Sequence, residues 1–197
     1  MRNVRGRALA ARVLVWAALA TSVIVFGSSF ATGQQVSRWD VFGGASYLRF
    51  DSTPLGFAGN SNLTGWNAAL AFNITDALSV AVDGSGHSGN QITAYNYMVA
   101  PQYSYRWERS RVFGQFLFGK AQNTVNIVQP TRGGFESVGM AYGGGGGYDW
   151  DLTSRFTLRA VQVDYLHTHT FGLTQGDIRV SAGVVVHFGR THKKRRL

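Results

Sequence analysis

The sequence predicts an all-β fold: an eight-stranded antiparallel transmembrane β-barrel, an up-and-down meander that turns its apolar face outward. Three observations carry this expectation. An exportable leader precedes a chain without cysteine, large and small residues alternate through eight stretches, and the connections between those stretches alternate between short and long.

The leader comes first. Arg2, Arg5, Arg7 and Arg12 precede an apolar run from Val13 to Phe26, and Ser28, Ser29 and Ala31 follow it. A cationic start, an apolar run and a small-residue end make a secretory signal peptide. The run is short for a spanning helix, which needs about 20 residues. Cleavage is expected after Ala31, with Gly33 as the alternative. The expected organisation is a signal peptide at 1–31, a barrel at 32–189 and a basic tail at 190–197. Without cysteine, neither a disulfide framework nor a lipidated thiol holds the exported chain.

The net charge of +9 is unevenly placed. The leader takes the four arginines named above, and Arg190, Lys193, Lys194, Arg195 and Arg196 sit in the last eight positions. What remains is ten basic residues against ten acids, so the body carries no net charge and no basic patch of the kind a nucleic-acid-binding domain shows.

Strict period-two alternation marks a strand whose two sides face different surroundings. The first strand, 39–50, is glycine-rich and ambiguous in its alternation. In 63–74, Trp66, Ala68, Leu70, Phe72 and Ile74 oppose Asn67 and Asn73. In 78–86, Leu78, Val80 and Val82 oppose Ser79, Ala81 and Asp83. The fourth stretch, 92–107, sets Tyr95, Tyr97, Val99, Pro101, Tyr103, Tyr105 and Trp107 against Asn96, Met98, Ala100, Gln102, Ser104 and Arg106. Strands are expected next at 111–120, 137–150 and 155–168. The eighth, 177–189, alternates Ile178, Val180, Ala182, Val184, Val186 and Phe188 with Arg179, Ser181, Gly183 and His187. The connections 75–77, 108–110 and 151–154 are tight. Those at 51–62, 87–91, 121–136 and 169–176 are expected as mostly longer loops, a pattern of outer-membrane barrels.

Side-chain size decides which face is outside. The interior of eight strands is just wide enough for side chains to fill. The aromatic face would overfill it, whereas the opposite face of Gly, Ala, Ser, Asn, Gln and a few charges fits. The expected lipid-facing aromatics are therefore Trp66, Phe72, Tyr95, Tyr97, Tyr103, Tyr105, Trp107 and Phe188, with Tyr148 and Trp150 also at a strand end where an interfacial girdle belongs.

The stretches "FGGASYLRF", "VAPQYSYRW", "AYGGGGGYDW", "AVQVDYLHT" and "RVSAGVVVHFG" resemble the OmpA-type eight-stranded outer-membrane barrel domains, over residues 39–189. The resemblance implies a bacterial outer-membrane location, contact with outer-membrane lipid including lipopolysaccharide, and insertion by the barrel-assembly machinery. Such barrels usually end at a terminal aromatic read by that machinery. Phe188 would be that residue, although the basic tail follows it.

The chemistry-bearing motifs are weak. The run Gly143–Gly147 lacks the Lys-Ser/Thr and following helix of a phosphate loop, and is read as making room for lumen side chains or relieving curvature. His167 and His169 share a face, but no third metal ligand can be named. In "GHSG", alternation points His87 and Ser88 to opposite faces, so they do not form a nucleophile–base pair. No catalytic residue, cofactor or metal is expected. The tail is either a solvated terminus or a contact for anionic lipid or cell-wall polymer.

The lumen carries the distinctive expectation. Asp83, Arg106, Asp149, Asp164 and Arg179 face inward with Gln102, Gln115 and Gln162, and charges in a narrow barrel need partners. Asp164 with Arg179 is the first expected pair and Asp83 with Arg106 the second, closing the barrel to ions. The expected function is structural or surface contact in the envelope. A narrow pore and a lipid-modifying enzyme are the alternatives.

Overall fold

The computed structural model describes residues 37–51, 60–89, 92–127, 133–170 and 172–190. The expected signal peptide and the tail beyond Arg190 lie outside them. Eight strands run in chain order: β1 (Ser37–Asp51), β2 (Asn60–Asn73), β3 (Leu78–Ser88), β4 (Ile92–Trp107), β5 (Ser110–Ile127), β6 (Gly133–Asp151), β7 (Phe156–Thr170) and β8 (Leu173–Arg190). Each pairs antiparallel with the next, and β1 pairs with β8, so the sheet closes into a barrel without edges.

One end of the barrel carries the tight turns. Thr75 Oγ1 accepts from the Leu78 amide at 2.9 Å, and Thr153 Oγ1 accepts from Phe156 at 3.0 Å. Both hydroxyls satisfy backbone donors that a turn leaves free, which is why threonine recurs there. The third turn is Glu108–Arg109, with Glu108 at φ 45°. This is the turn end, where β1 begins and β8 finishes.

The other end, the loop end, differs from the sequence expectation. The connections expected over 121–136 and 169–176 shrink to 128–132 and 171–172, because β5 to β8 continue through residues that read as loop. Gln and Thr side chains there bond across the strands. Gln122 donates to Glu136 at 2.8 Å, and Thr168 to Asp177 at 3.2 Å. Gly172, at φ +72°, lies in the two-residue link between Thr170 and Leu173, where few other residues adopt that backbone. His87 and Ser88, expected in a connection, belong to β3. About 9–11 residues cross a membrane, so the 18 residues of β5 and 19 of β6 outreach the hydrocarbon layer.

A bulge breaks the alternation once. Between Tyr148↔Val161 and Asp149↔Arg159 the β6–β7 register skips Ala160, and Ala160 and Val161 both face outward. The inward set of β7 therefore changes parity, from Thr157 and Arg159 to Gln162, Asp164, Leu166 and Thr168.

The outer face is apolar. Trp66, Tyr97, Tyr105 and Phe188 are about half exposed, and Tyr95, Tyr103 and Trp107 face outward with them. Phe72 is half-buried, with the Trp39 ring 4.8 Å away and the Arg38 guanidinium above it. The turn-end rim adds Trp150 and Phe156.

The lumen is more apolar than its sequence pattern implied. Phe42, Leu48, Phe50, Leu63, Ile92, Met98, Phe113, Leu117, Leu166 and Val185 are all buried alongside the expected small and polar residues. Leu48, Phe50, Leu63, Ile92 and Ala94 pack together toward the loop end of β1–β4. Inward glycines supply the room. A Cβ on Gly145 would strike the Asp164 carboxylate and lie 2.8 Å from Asp164 Cα, and one on Gly147 would lie 2.7 Å from the Phe113 ring. Gly145→Ala should therefore destabilise the barrel by about 1–3 kcal/mol through overpacking. Gly144→Ala, whose Cβ meets only Gln115 O at 3.7 Å, should be tolerated. Urea unfolding in lipid vesicles measures both.

Candidate functional site

The lumen groups its charges into two clusters, both assembled from inward positions, some on neighbouring strands and some facing one another across the lumen. Near the turn end, Asp149 (β6) is fully buried between two arginines. Arg111 (β5) donates to it through Nε at 2.8 Å and again through Nη2, and Arg159 (β7) donates through Nε at 2.8 Å and Nη2 at 3.2 Å. Arg111 Nη1 reaches across to Asp40 (β1) at 3.2 Å. Asp40 is also held by Asn73 Nδ2 at 3.0 Å, by the Ser37 hydroxyl and by His187 Nδ1 at 2.7 Å. The Arg159 guanidinium lies 4.4 Å from the ring centroids of both Phe42 and Phe113, so two aromatic faces replace the water it has lost.

The second cluster lies deeper. Arg179 (β8) is fully buried between two carboxylates. Its Nε and Nη2 donate to Asp164 Oδ2 at 3.0 and 2.8 Å, and its Nη1 donates to Asp83 Oδ1 at 2.7 Å and Ser85 Oγ at 3.0 Å. Asn67 Nδ2 completes the Asp83 shell at 2.9 Å. Glutamines link the clusters: Arg159 Nη1 donates to Gln162 Oε1 at 2.7 Å, and Gln162 Nε2 donates to Asp164 at 2.8 Å. Gln102 donates to Gln115, and Gln115 donates to Asp164 Oδ1 at 2.6 Å. Every charge is shared between partners, the condition under which buried ions are tolerated.

The structure brings Asp83, Asp149, Asp164 and Arg179 inside, and it leaves Arg106 out. Arg106 lies at the turn end, where its Nη1 donates to the Asp76 carbonyl. Asp83 sits opposite Met98 on β4, eight positions from Arg106. That separation is about 27 Å of strand, so no Asp83–Arg106 pair forms. Arg179 takes Asp83 instead. Sequence reasoning missed Asp40, Arg111 and Arg159. Arg111 shares the parity of Gln115 and was within reach of the pattern, whereas the bulge hides Arg159 and the glycine-rich alternation of β1 obscures Asp40.

A serine–histidine contact does occur, but not the adjacent pair. His87 points inward and Ser88 outward. His87 Nε2 is 2.8 Å from Ser46 Oγ, which is 2.9 Å from Ser181 Oγ. His87 Nδ1 has no partner, and His87 is 1% exposed. A hydroxyl–imidazole pair without an orienting group and sealed from solvent has the parts of a nucleophile and no means of meeting substrate. On the outer face, His167 stacks on Tyr142 (5.4 Å) and meets Tyr165 edge-on (4.8 Å). Among the described residues, no three His, Cys, Asp or Glu side chains gather as a metal site.

No family model matches the chain, and no curated protein matches it. Solved structures match in fold. Neisserial surface protein A is 14% identical with a TM-score of 0.63, over 79% of this chain and 100% of that one. Ail, the attachment invasion locus protein of Yersinia pestis, is 14% identical with a TM-score of 0.54, over 76% and 99%. OprG, an outer membrane protein of Pseudomonas aeruginosa, is 12% identical with a TM-score of 0.50, over 80% and 98%. At such identities the likeness is one of architecture, the small eight-stranded barrel.

Proposed function

We propose that this chain is a sealed outer-membrane barrel of the OmpA type, with a structural or surface-contact role in the bacterial envelope. The filled lumen carries the reading. Two linked charge clusters and an apolar pack at the loop end occupy the space a pore would need, while the outer wall is a belt of apolar and aromatic side chains. A soluble barrel would place those aromatics inside.

The remaining assignments follow from that placement. The N-terminal 31 residues are a signal peptide, the turn end and the basic tail face the periplasm, and the loop end faces outward. Phe188 serves the assembly machinery as the terminal aromatic. Lys120, exposed on the outer wall between Tyr97 and Met140, and His169, across from Met140, sit where lipopolysaccharide phosphate would meet the barrel. The names of two structural neighbours, a surface protein and an attachment protein, support contact at the cell surface.

Planar bilayers test the sealed lumen. The protein should insert without discrete conductance steps, and sustained single-channel openings would replace this reading by the narrow pore. Fractionation tests the placement. The protein should partition with outer membranes and migrate differently on gels before and after boiling, and recovery as a soluble monomer would sink the barrel reading.

A further inference from the structure

The turn-end mouth holds a histidine whose second ring nitrogen neither charge cluster uses. His187 on β8 lies directly opposite Asp40 on β1, at the seam where the last strand closes on the first. Its amide donates to the Arg155 carbonyl at 2.9 Å. Its Nδ1 lies 2.7 Å from Asp40 Oδ1, and its Nε2 lies 2.7 Å from Thr157 Oγ1. Thr157 in turn donates to Oδ1 of Asp151, its partner across β6 and β7, at 2.5 Å. One line of contacts therefore runs from Asp40 through the imidazole to Asp151 and joins β1, β8, β7 and β6. The His187 side chain is 17% exposed against 4% for Asp40, so water at the turn end reaches the ring.

This line closes only with a proton on each ring nitrogen. An ionised Asp40 can only accept, so Nδ1 must carry a hydrogen. A bare Nδ1 would set its lone pair against a carboxylate oxygen at 2.7 Å. The Ser37 hydroxyl, 3.2 Å from Nδ1, does not relieve that clash, because its proton goes to Asp40. Thr157 has a single hydroxyl proton and gives it to Asp151, so Nε2 must be the donor to Thr157. A neutral imidazole has one N–H and leaves one of these bonds unmade, whereas the imidazolium makes them all. A protonated Asp151 is the other way to supply the proton. An imidazole, however, holds a proton more firmly than a carboxylate and titrates between about pH 5 and 8.

The charges around the ring come close to cancelling. Asp40 on β1 and Asp149 and Asp151 on β6 stand against Arg106 on β4, Arg111 on β5 and Arg159 on β7. Arg38 on β1, Asp76 in the turn after β2 and Arg155 in the turn after β6 are exposed to solvent, which screens them. With opposing fields nearly balanced, the hydrogen bonds decide where the proton sits.

We infer that His187 is a proton-operated clasp on the closing seam of the barrel, shut when the imidazole is charged and slack when it is neutral. Loss of the Nε2 proton turns that nitrogen into an acceptor. Thr157 then swings its hydroxyl toward the ring, and Asp151 loses this donor. The seam keeps its backbone ladder and the Asp40 bond but loses the side-chain link onward to β7 and β6. Because the charged form makes the bonds, the clasp adds stability at acid pH and gives it up as pH rises through the titration of the ring. In the orientation proposed above, it responds to the periplasm.

Nitrogen NMR on the full chain, labelled with nitrogen-15 histidine and refolded in detergent, reads both ring nitrogens, and sequential backbone assignment identifies His187 without a variant. At about pH 5.5, below the histidine range and above that of ordinary carboxylates, both nitrogens should be protonated. At about pH 8, Nδ1 should keep its proton and Nε2 alone should have lost one. A ring still neutral at the lower pH would overturn the clasp, and so would a neutral tautomer protonated on Nε2. The melting temperature should rise between the higher and the lower pH, and by less than half as much in His187→Gln and in Thr157→Val. The valine keeps the branched shape of Thr157 and removes only the hydroxyl. An equal rise in all three proteins would overturn the clasp even with a charged ring. None of these outcomes depends on conductance or on the membrane of residence, so the clasp and the sealed-barrel reading fail separately.

Discussion

Arg179→Ala should be the most damaging single substitution in the barrel, costing about 3–5 kcal/mol, because it strands two carboxylates in a dry interior. Asp83 and Asp164 both depend on this guanidinium, at 2.7 and 2.8 Å, and both are almost completely buried. Asp164→Ala should cost less. It leaves Arg179 paired with Asp83, and its damage is confined to Gln115 and Gln162, which lose their acceptor. The double substitution, Asp164→Ala with Arg179→Ala, removes one of the two stranded carboxylates, so its cost should fall short of the sum of the singles. Recovery is partial because Asp83 stays unpaired except for Asn67 and the other groups around it. Urea unfolding of vesicle-inserted protein, followed by the heat-modifiable gel band, measures the cycle. Additive losses would show that the two residues do not interact.

The legible parts of the molecule are those where one physical rule acts alone. β4 and β8 alternate strictly, and the structure gives each the face that side-chain size assigned to it. The register of β7 and β8 follows from the position of their turn, which sets Asp164 opposite Arg179. Illegibility begins where a second effect intervenes. Arg159 carries outward parity on a strict count and turns inward because Ala160 and Val161 form a bulge, a feature the alternation does not announce. Arg106 has the parity of a lumen residue, but height along the strand is not contained in parity, and it lies at the mouth with Asp76. Gln122 and Thr174 read as loop because Gln and Thr are common in turns. In the structure they bond across hairpins that continue past the expected strand ends, Gln122 to Glu136 and Thr174 to His169. The apolar lumen was hidden for a different reason. Each inward glycine frees volume that a residue on another strand fills, as Phe113 fills the space beside Gly147, and such an exchange is visible only once the strands are closed into a ring.

Val184→Arg should cost about 2–4 kcal/mol, the penalty for a cation on the lipid face near the bilayer midplane. Val184 faces outward on β8 between Leu158 of β7 and Gly43 of β1, away from both aromatic rims. The penalty should depend on depth. Ile178, on the same strand and face, lies beside Tyr165 and Arg49 toward the loop end, so Ile178→Arg should cost only about 0–1 kcal/mol. Ser181→Arg, midway between the two but inward, should act differently. Ser181 bonds Ser46 at 2.9 Å in a filled lumen, so the new guanidinium would displace side chains around Arg179 and its cost would not follow bilayer thickness. The three variants therefore separate lipid contact from lumen packing. Unfolding in vesicles of longer and shorter acyl chains reads the difference, since only the Val184 cost should grow with thickness. Equal costs at Val184 and Ile178 in every lipid would mean that the apolar face of β8 is not against hydrocarbon.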